Sequence, residues 1–325
     1  MNKRVDPHPN QDLFIRDLID YSPKDERSLM ERPFFSLSKR KRNKPIEYQS
    51  EDGSVWVKVL PHPEFGMATI WDADIMIWCI SKIVAEKERG RNLDSPKIHT
   101  TPYEMLRGIA RKTGGTDYRL LLEAMNRLKH TSITTNLRAG KSKFATFSWL
   151  AEFEGEGTIE TPEQMEKVRS ISLTLPSWIY SAITTSSNVL TLDREYFLLS
   201  GGLDRALYRI ARKHAGSQPQ GWLCSFKTLR AKTGSDSSEK KFAEMLKRSV
   251  KENKLPRYEM SLTKTADGQS AVHFVDRHIA GKIKEEEAIR EELQRLSRID
   301  QEDARAALID SGANPRTAAK RTRAA

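Results

Sequence analysis

The sequence predicts an α+β chain of two tandem winged helix-turn-helix domains followed by a C-terminal helix. An order of helix, short helix, Lys-Thr-Gly turn, amphipathic helix and hairpin occurs twice. The two turns share letters, because Ile109 to Gly114 (IARKTG) lies without a gap on Leu229 to Gly234 (LRAKTG). Between the copies, Gly155, Gly157, Pro162 and many acids interrupt the hydrophobic pattern over Glu152 to Glu166, which places a domain boundary there. A chain of 325 residues is long enough for two domains, each with its own core.

The elements follow in order. Residues 1–32 are polar apart from Leu13 to Ile19 and are read as an N-terminal arm. Lys39 to Lys44 is a dense basic run, as compatible with a solvated linker as with an arm on phosphate. Ile46 to Tyr48 and Val55 to Leu60 form a hairpin through Asp52-Gly53. Asp72 to Val84 is apolar nearly all round, so it is either the central helix of a domain or part of a dimer contact. Thr101-Pro102-Tyr103-Glu104 has the residues of a capping box, and a short helix therefore starts at Pro102. It ends at Lys112-Thr113-Gly114-Gly115, where glycine permits a left-handed turn. Tyr118, Leu121, Leu122, Met125 and Leu128 then line one helical face, opposite Thr116, Arg119, Glu123 and Arg127. Ile133 to Leu137 and Phe144 to Leu150 make a hairpin with a basic tip, which is the expected first wing.

The second copy contains strands at Ile171 to Leu175 and Val189 to Leu192, a helix over Leu203 to His214 and a short helix near Ser225 to Lys232. An amphipathic helix follows, capped by Asp236, with Phe242, Met245, Leu246 and Val250 inward. Its wing joins Arg257 to Lys264 with Ser270 to Val275. The predicted domains are 33–155 and 156–280, with a charged helix over Lys282 to Leu308 and a basic tail (Arg316, Lys320, Arg321, Arg323) in 281–325.

The net charge of +11 points to a polyanion. No apolar run is long enough to cross a membrane and the N-terminus has no apolar leader, so a cytoplasmic protein is expected. Cys79 and Cys224 sit among apolar residues, as buried thiols of a reducing compartment do. The seven histidines are scattered, so neither a metal nor a cofactor is expected. The charge is also localised. Residues 95–150 hold ten Lys or Arg against three acids, and residues 205–265 hold fifteen against five. A basic helix fits the major groove, and Lys or Arg on a wing meets phosphate, so double-stranded DNA is the expected partner. The candidate contacts are Arg111, Lys112, Thr116, Arg119, Arg127, Lys141 and Lys143 in the first copy. In the second they are Lys232, Ser237, Lys240, Lys241, Lys247, Lys251 and Lys264.

Three stretches carry a family resemblance: Arg32 to Lys39 (RPFFSLSK), Gly66 to Asp74 (GMATIWDAD), and the Lys-Thr-Gly turn followed by a Leu-rich helix. Over about residues 30–280 the chain resembles the replication initiator protein A family of bacterial plasmids. The resemblance implies binding to directly repeated origin sequences and strand opening with host initiation proteins and helicase machinery. It also implies repression of the chain's own gene and no catalysis. In related initiators one winged helix serves dimerisation and partner contact and the other the main DNA contact; which does which, and whether this chain is a homodimer, stays open. A winged-helix transcriptional repressor is the alternative.

Enzymatic readings fit less well. Ser36-Leu37-Ser38-Lys39 with Lys-Thr-Gly imitates a penicillin-binding signature, but no Ser-Asp-Asn occurs and both Lys-Thr-Gly triplets fall between helices. Gly140-Lys141-Ser142 lacks the first glycine of a phosphate-binding loop, since Thr135 stands there. A rolling-circle nickase needs a close histidine pair, and no His-x-His occurs.

Overall fold

The structure is a computed structural model that describes residues 22–90, 95–137, 143–158, 161, 164–185, 188–283, 285–287 and 289–294. Leu13 to Ile19, Lys141 and the tail beyond 294 lie outside the described residues.

From Lys24 onward the expected arm is tied down. β1 (Lys24–Glu26) pairs antiparallel with Val189–Thr191. Glu26 caps the short α1 (Arg27–Met30) by accepting from the Ser28 and Leu29 amides. Leu29, Met30, Phe34 and Phe35 are buried, and it is this apolar surface that draws the segment into the body. Phe35 stacks on Trp149 with centroids 4.4 Å apart, and Phe34 meets the same ring edge-on.

β2 (Ile46–Gln49) and β3 (Trp56–Leu60) form the expected hairpin, turning at Gly53 with φ +66°. α2 (Ala73–Glu88) is buried on nearly all sides, as its apolar run requires. After β4 (Lys97–Thr100) comes α3 (Pro102–Gly108), capped by the Thr101 hydroxyl, which accepts from the Glu104 amide at 3.0 Å. α3 packs on α2 so closely at Gly108 that an added Cβ would stand 2.3 Å from Trp78 Nε1. α4 (Gly115–His130) buries Leu121, Leu122, Met125 and Leu128. The turn before it differs from expectation. The left-handed residue is Ala110, with φ 55°, while Gly114 has φ −85° and occupies the N-cap of α4.

β5 (Ser132–Thr135) and β6 (Ala145–Phe147) form the expected hairpin, but β5 pairs with β3, so it joins a sheet of order β2-β3-β5-β6. The wing position falls instead to β7 (Glu152–Gly157) and β8 (Val168–Thr174). β8 pairs with both β7 and β4, giving the order β4-β8-β7. The composition break is therefore a hairpin of the first half, and a boundary at 155/156 would cut through it. Only Phe153 and two glycines interrupt the acids of β7, so the strand reads as a linker while its backbone pairs normally.

α5 (Ser177–Thr185) and β9 (Val189–Thr191) lead to the second series: α6 (Gly202–His214), β10 (Trp222–Ser225), α7 (Phe226–Thr233), α8 (Glu239–Glu252), β11 (Tyr258–Lys264) and β12 (Ser270–Asp276). Its sheet runs β10-β12-β11. Gly234, with φ +62°, ends α7 as expected. The cap of α8 is Ser238, two residues after Asp236, and its hydroxyl accepts from the Lys241 amide at 3.3 Å. Met245, expected inside, is 36% exposed. The described residues 277–283, 285–287 and 289–294 are helical, so that helix begins directly after β12.

Both halves thus run helix, strand, helix, helix, strand, strand, with the first strand beside the last. The fold is α+β with antiparallel sheets of winged-helix type, and the β5–β6 hairpin is inserted in the first series. The N-caps correspond as Thr101 to Ser225 and Gly114 to Ser238, four positions out of step with the shared letters. Cys79 and Cys224 are buried and unpaired, and burial pushes both thiols up to about 12. No helix among the described residues is long and apolar enough to cross a membrane.

Buried ion pairs join the halves. Asp74, at the start of α2, accepts from Arg205 of α6 at 2.6 Å and from Arg111 at 2.9 Å. Arg205 also donates to the Leu199 and Phe197 carbonyls, so its buried guanidinium is well supplied with acceptors. Arg209, one turn further along α6, binds Asp25 through Nε and Nη2 at 2.8 and 2.7 Å. Removing one partner of such a pair strands a charge without solvent. Asp74→Asn is expected to lower unfolding free energy by about 3–5 kcal/mol, as read by urea denaturation; a loss under about 1 kcal/mol would show that the pair is dispensable.

Candidate nucleic-acid interface

α4 and α8 are the second helices of the two helix-turn-helix series, and they carry their charge differently. On α8, Lys240, Lys241, Lys247 and Lys251 are exposed and have no ion pair among the described residues. Lys240, Lys247 and Lys251 share one face, since they are separated by seven and four residues. Arg248 on the same outer side is held by Glu252 at 2.8 Å. Phe242, Leu246 and Val250 anchor the opposite side in the core. Arg230 braces the turn, donating from Nε and Nη2 to the Ser237 carbonyl at 3.0 and 2.9 Å. Ser237 therefore lies in the turn, half-buried, with its hydroxyl near Met245. Lys264 is exposed at the end of β11, beside a wing tip whose acid, Asp267, is tied to Thr265 and Gln269.

On α4 the cations are largely engaged. Arg127 makes a bidentate pair with Asp72, at 2.7 and 2.8 Å. Burial alone would lower its pKa, but the bonds from Asp72 raise it, so the guanidinium is fixed in its charged form. Arg119 is exposed and pairs with Glu123 one turn on, at 2.6 Å, a solvated contact that opens at little expense. Arg111 is drawn to Asp74. Lys112 and Thr116 are exposed, and Lys143 stands on the inserted hairpin instead of a wing. Leu120, 46% exposed, shares the outer face of α4 with Thr116 and Glu123. A cleft of about 210 Å³ opens beside this helix, lined in part by Lys39, Trp71, Arg111 and Arg127.

Lys232 is drawn inward as well. Its ammonium lies 3.1 Å from Glu31, which also receives Arg32, Lys213 and, at 2.9 Å, His214. Arg111, Arg127 and Lys232 thus serve internal carboxylates, and the candidates whose charge faces solvent are those of α8, Lys112, Lys143 and Lys264. The carboxylates Asp72, Asp74 and Glu31 lie 55, 37 and 201 residues from these partners, so composition alone gave no sign of the pairing. The sequence alone leaves the basic run at 39–44 open between a linker and an arm on phosphate, and it gives no sign of the brace that Arg230 makes.

A basic helix-turn-helix face on a winged-helix scaffold defines a DNA-binding protein. Residues 24–260 match the Replication initiator protein A family, and the chain belongs to that family. It is a plasmid replication initiator that acts by binding DNA and not by catalysis. A protein of Wigglesworthia glossinidia brevipalpis assigned to replication is 34% identical over 259 residues, covering 79% of this chain and 90% of that one. The fold is similar to a crystal structure of domains 2 and 3 of RctB, with a TM-score of 0.54 at 13% identity, covering 74% of this chain and 94% of that one.

Two groups here titrate with the fold. Burial would raise the Glu31 carboxyl, but hydrogen bonds from His214 and Lys213 and the charges of Lys232 and Arg32 outweigh it and hold it well below the usual carboxylate range. Burial pushes His214 below 6.5 despite its bond to Glu31, so the ring is neutral and donates from Nε2. Both depressed values stabilise the fold above the ordinary pKa and lose that contribution on acidification. The wild type is therefore expected to weaken as pH falls below 6.5, and further below 4.5, where Glu31 of the unfolded chain takes up a proton while the folded carboxylate stays ionised. The urea-midpoint difference between wild type and Glu31→Gln should shrink below pH 4.5; a difference constant across that range would count against the clamp.

Proposed function

We propose that the chain is two tandem winged-helix domains on one polypeptide that grip directly repeated plasmid origin DNA, with α8 as the main reading helix. The observation that carries this is the contrast between the two helices: four solvent-facing, unpaired lysines on α8 against engaged arginines on α4. Free cations release counterions from DNA, whereas cations already neutralised inside the protein contribute little. α8 enters the major groove, and Lys264 on its wing meets the flanking phosphate. Lys112, Thr116, Arg119 and Lys143 supply secondary contacts from the first domain, and Lys141, which lies outside the described residues, is assigned with them. Arg111, Arg127 and Lys232 leave the contact set, and Ser237 shapes the turn.

The exposed Leu120 and the nearly neutral face around it favour a protein-contacting role for the first domain, either with a second copy or with host initiation proteins and helicase machinery. Binding beside an AT-rich stretch opens the strands, and binding over the promoter represses the gene. The protein works in the cytoplasm.

Selection from random duplexes gives the test of role. Tandem copies of the selected sequence beside an AT-rich stretch are expected; a single palindrome over the promoter would make the chain a repressor alone. The salt dependence of binding should be steeper than about −3.6, since each of four lysines releases about 0.9 counterion. Lys240→Ala or Lys247→Ala is expected to cost about 1–3 kcal/mol of affinity, and Arg119→Ala about 0.5 kcal/mol, by fluorescence anisotropy. The reverse order would make α4 the reader.

A further inference from the structure

We propose that Lys39 to Lys44 forms a third DNA contact, a cationic strip that bridges the two helix-turn-helix units and lies on the phosphates between the bases they read. It rests on the reading of the two units as gripping one duplex. Five of these six residues are cationic, and Lys39, Arg40, Lys41 and Lys44 are exposed with no ion pair among the described residues. Four adjacent unscreened positive charges repel one another and are costly to hold together unless an anion neutralises them.

The strip is held at both ends. Near the first unit, Lys39 Nζ stands 4.9 Å from the centre of the Trp71 ring and lines the cleft beside α4. At the second unit, Arg42 donates from Nη1 to the Gly234 carbonyl at 2.8 Å, in the turn between α7 and α8. Its Nε and Nη2 donate to the Lys44 and Pro45 carbonyls at 3.0 and 3.3 Å, which locks the strip's own course. Asp236 is the acid whose charge reaches Arg42, on the turn itself. Between these ends the Lys41 stem lies against Gly66, where an added Cβ would stand 2.8 Å from Lys41 Cγ. Arg42 is thus the tether at the second unit; Arg40, Lys41 and Lys44 remain free for a ligand, and Lys39 keeps a ring contact that leaves its charge uncompensated.

Position and length both suit duplex DNA. The strip ends next to the N-terminal side of α8, where a recognition helix meets the groove. Five residue steps reach at most about 18 Å, the length of about five base-pair steps of about 3.4 Å measured along the duplex axis. A free linker would not be fastened to a reading turn at one end and to a tryptophan at the other.

The test uses the full chain with Lys39→Gln, Arg40→Gln, Lys41→Gln and Lys44→Gln combined, which keeps the packed stems and the Arg42 tether. The probe is a duplex carrying the selected sequence. An unchanged melting temperature confirms folding, and Lys39→Gln with Arg40→Gln alone serves if the fourfold variant melts early. The salt slope is expected to fall by about 2 to 3.6, base preference to stay, and hydroxyl-radical protection to vanish between the two gripped segments. Intact protection and slope overturn the strip, while a wild type insensitive to Lys240→Ala overturns the reading of the two units instead. Loss of binding to phosphatidylglycerol vesicles with DNA binding unchanged would also overturn it, in favour of a membrane contact.

Discussion

Asp74 has no access to water, yet its two oxygens hold guanidinium groups from both halves of the fold, Arg111 beside α4 and Arg205 on α6. At low dielectric such a carboxylate is stable only while its partners stay, so α2, the first helix-turn-helix and the first helix of the second series form one assembly. Asp25 on Arg209 and Glu31 under Lys213 and His214 fasten the N-terminal segment to the same helix, and Lys232 ties Glu31 to α7 as well. The relative placement of α4 and α8 is thus set by buried charge as well as by apolar packing.

The same architecture is spent differently in its two copies. In the first, Arg127 and Arg111 are consumed on the buried acids Asp72 and Asp74, while Arg119 pairs with Glu123 in solvent. In the second, α8 keeps its lysines in solvent. A count of net charge treats both regions as basic, whereas the electrostatic field that a polyanion meets depends on which cations lack an internal partner.

Local signals in the sequence were read well. The all-round apolar α2, the Thr101 cap, the β2–β3 hairpin and the α7–α8 turn at Gly234 all follow from short-range chemistry. Errors arose where long-range pairing decides. The β5–β6 hairpin was legible, but its attachment to β3 instead of β4 depends on residues more than seventy positions away. β7 looked like a linker because its acids face solvent. The shared letters around the Lys-Thr-Gly turns aligned residues that the helix caps set four positions apart. Of the candidate contacts, the exposed α8 lysines were legible as an amphipathic stripe, whereas the inward turn of Arg127 and Lys232 was not, since their acids lie far off in the chain.

The pairing of β1 with β9 also bears on biosynthesis. Lys24–Glu26 finds its partner strand at Val189–Thr191, and Asp25 its counter-ion at Arg209, only after most of the chain has left the ribosome. Contacts of such high sequence separation close late, so the leading half emerges with an unpaired strand and an uncompensated acid. The newborn polypeptide must wait for α6 before its first half can be sealed.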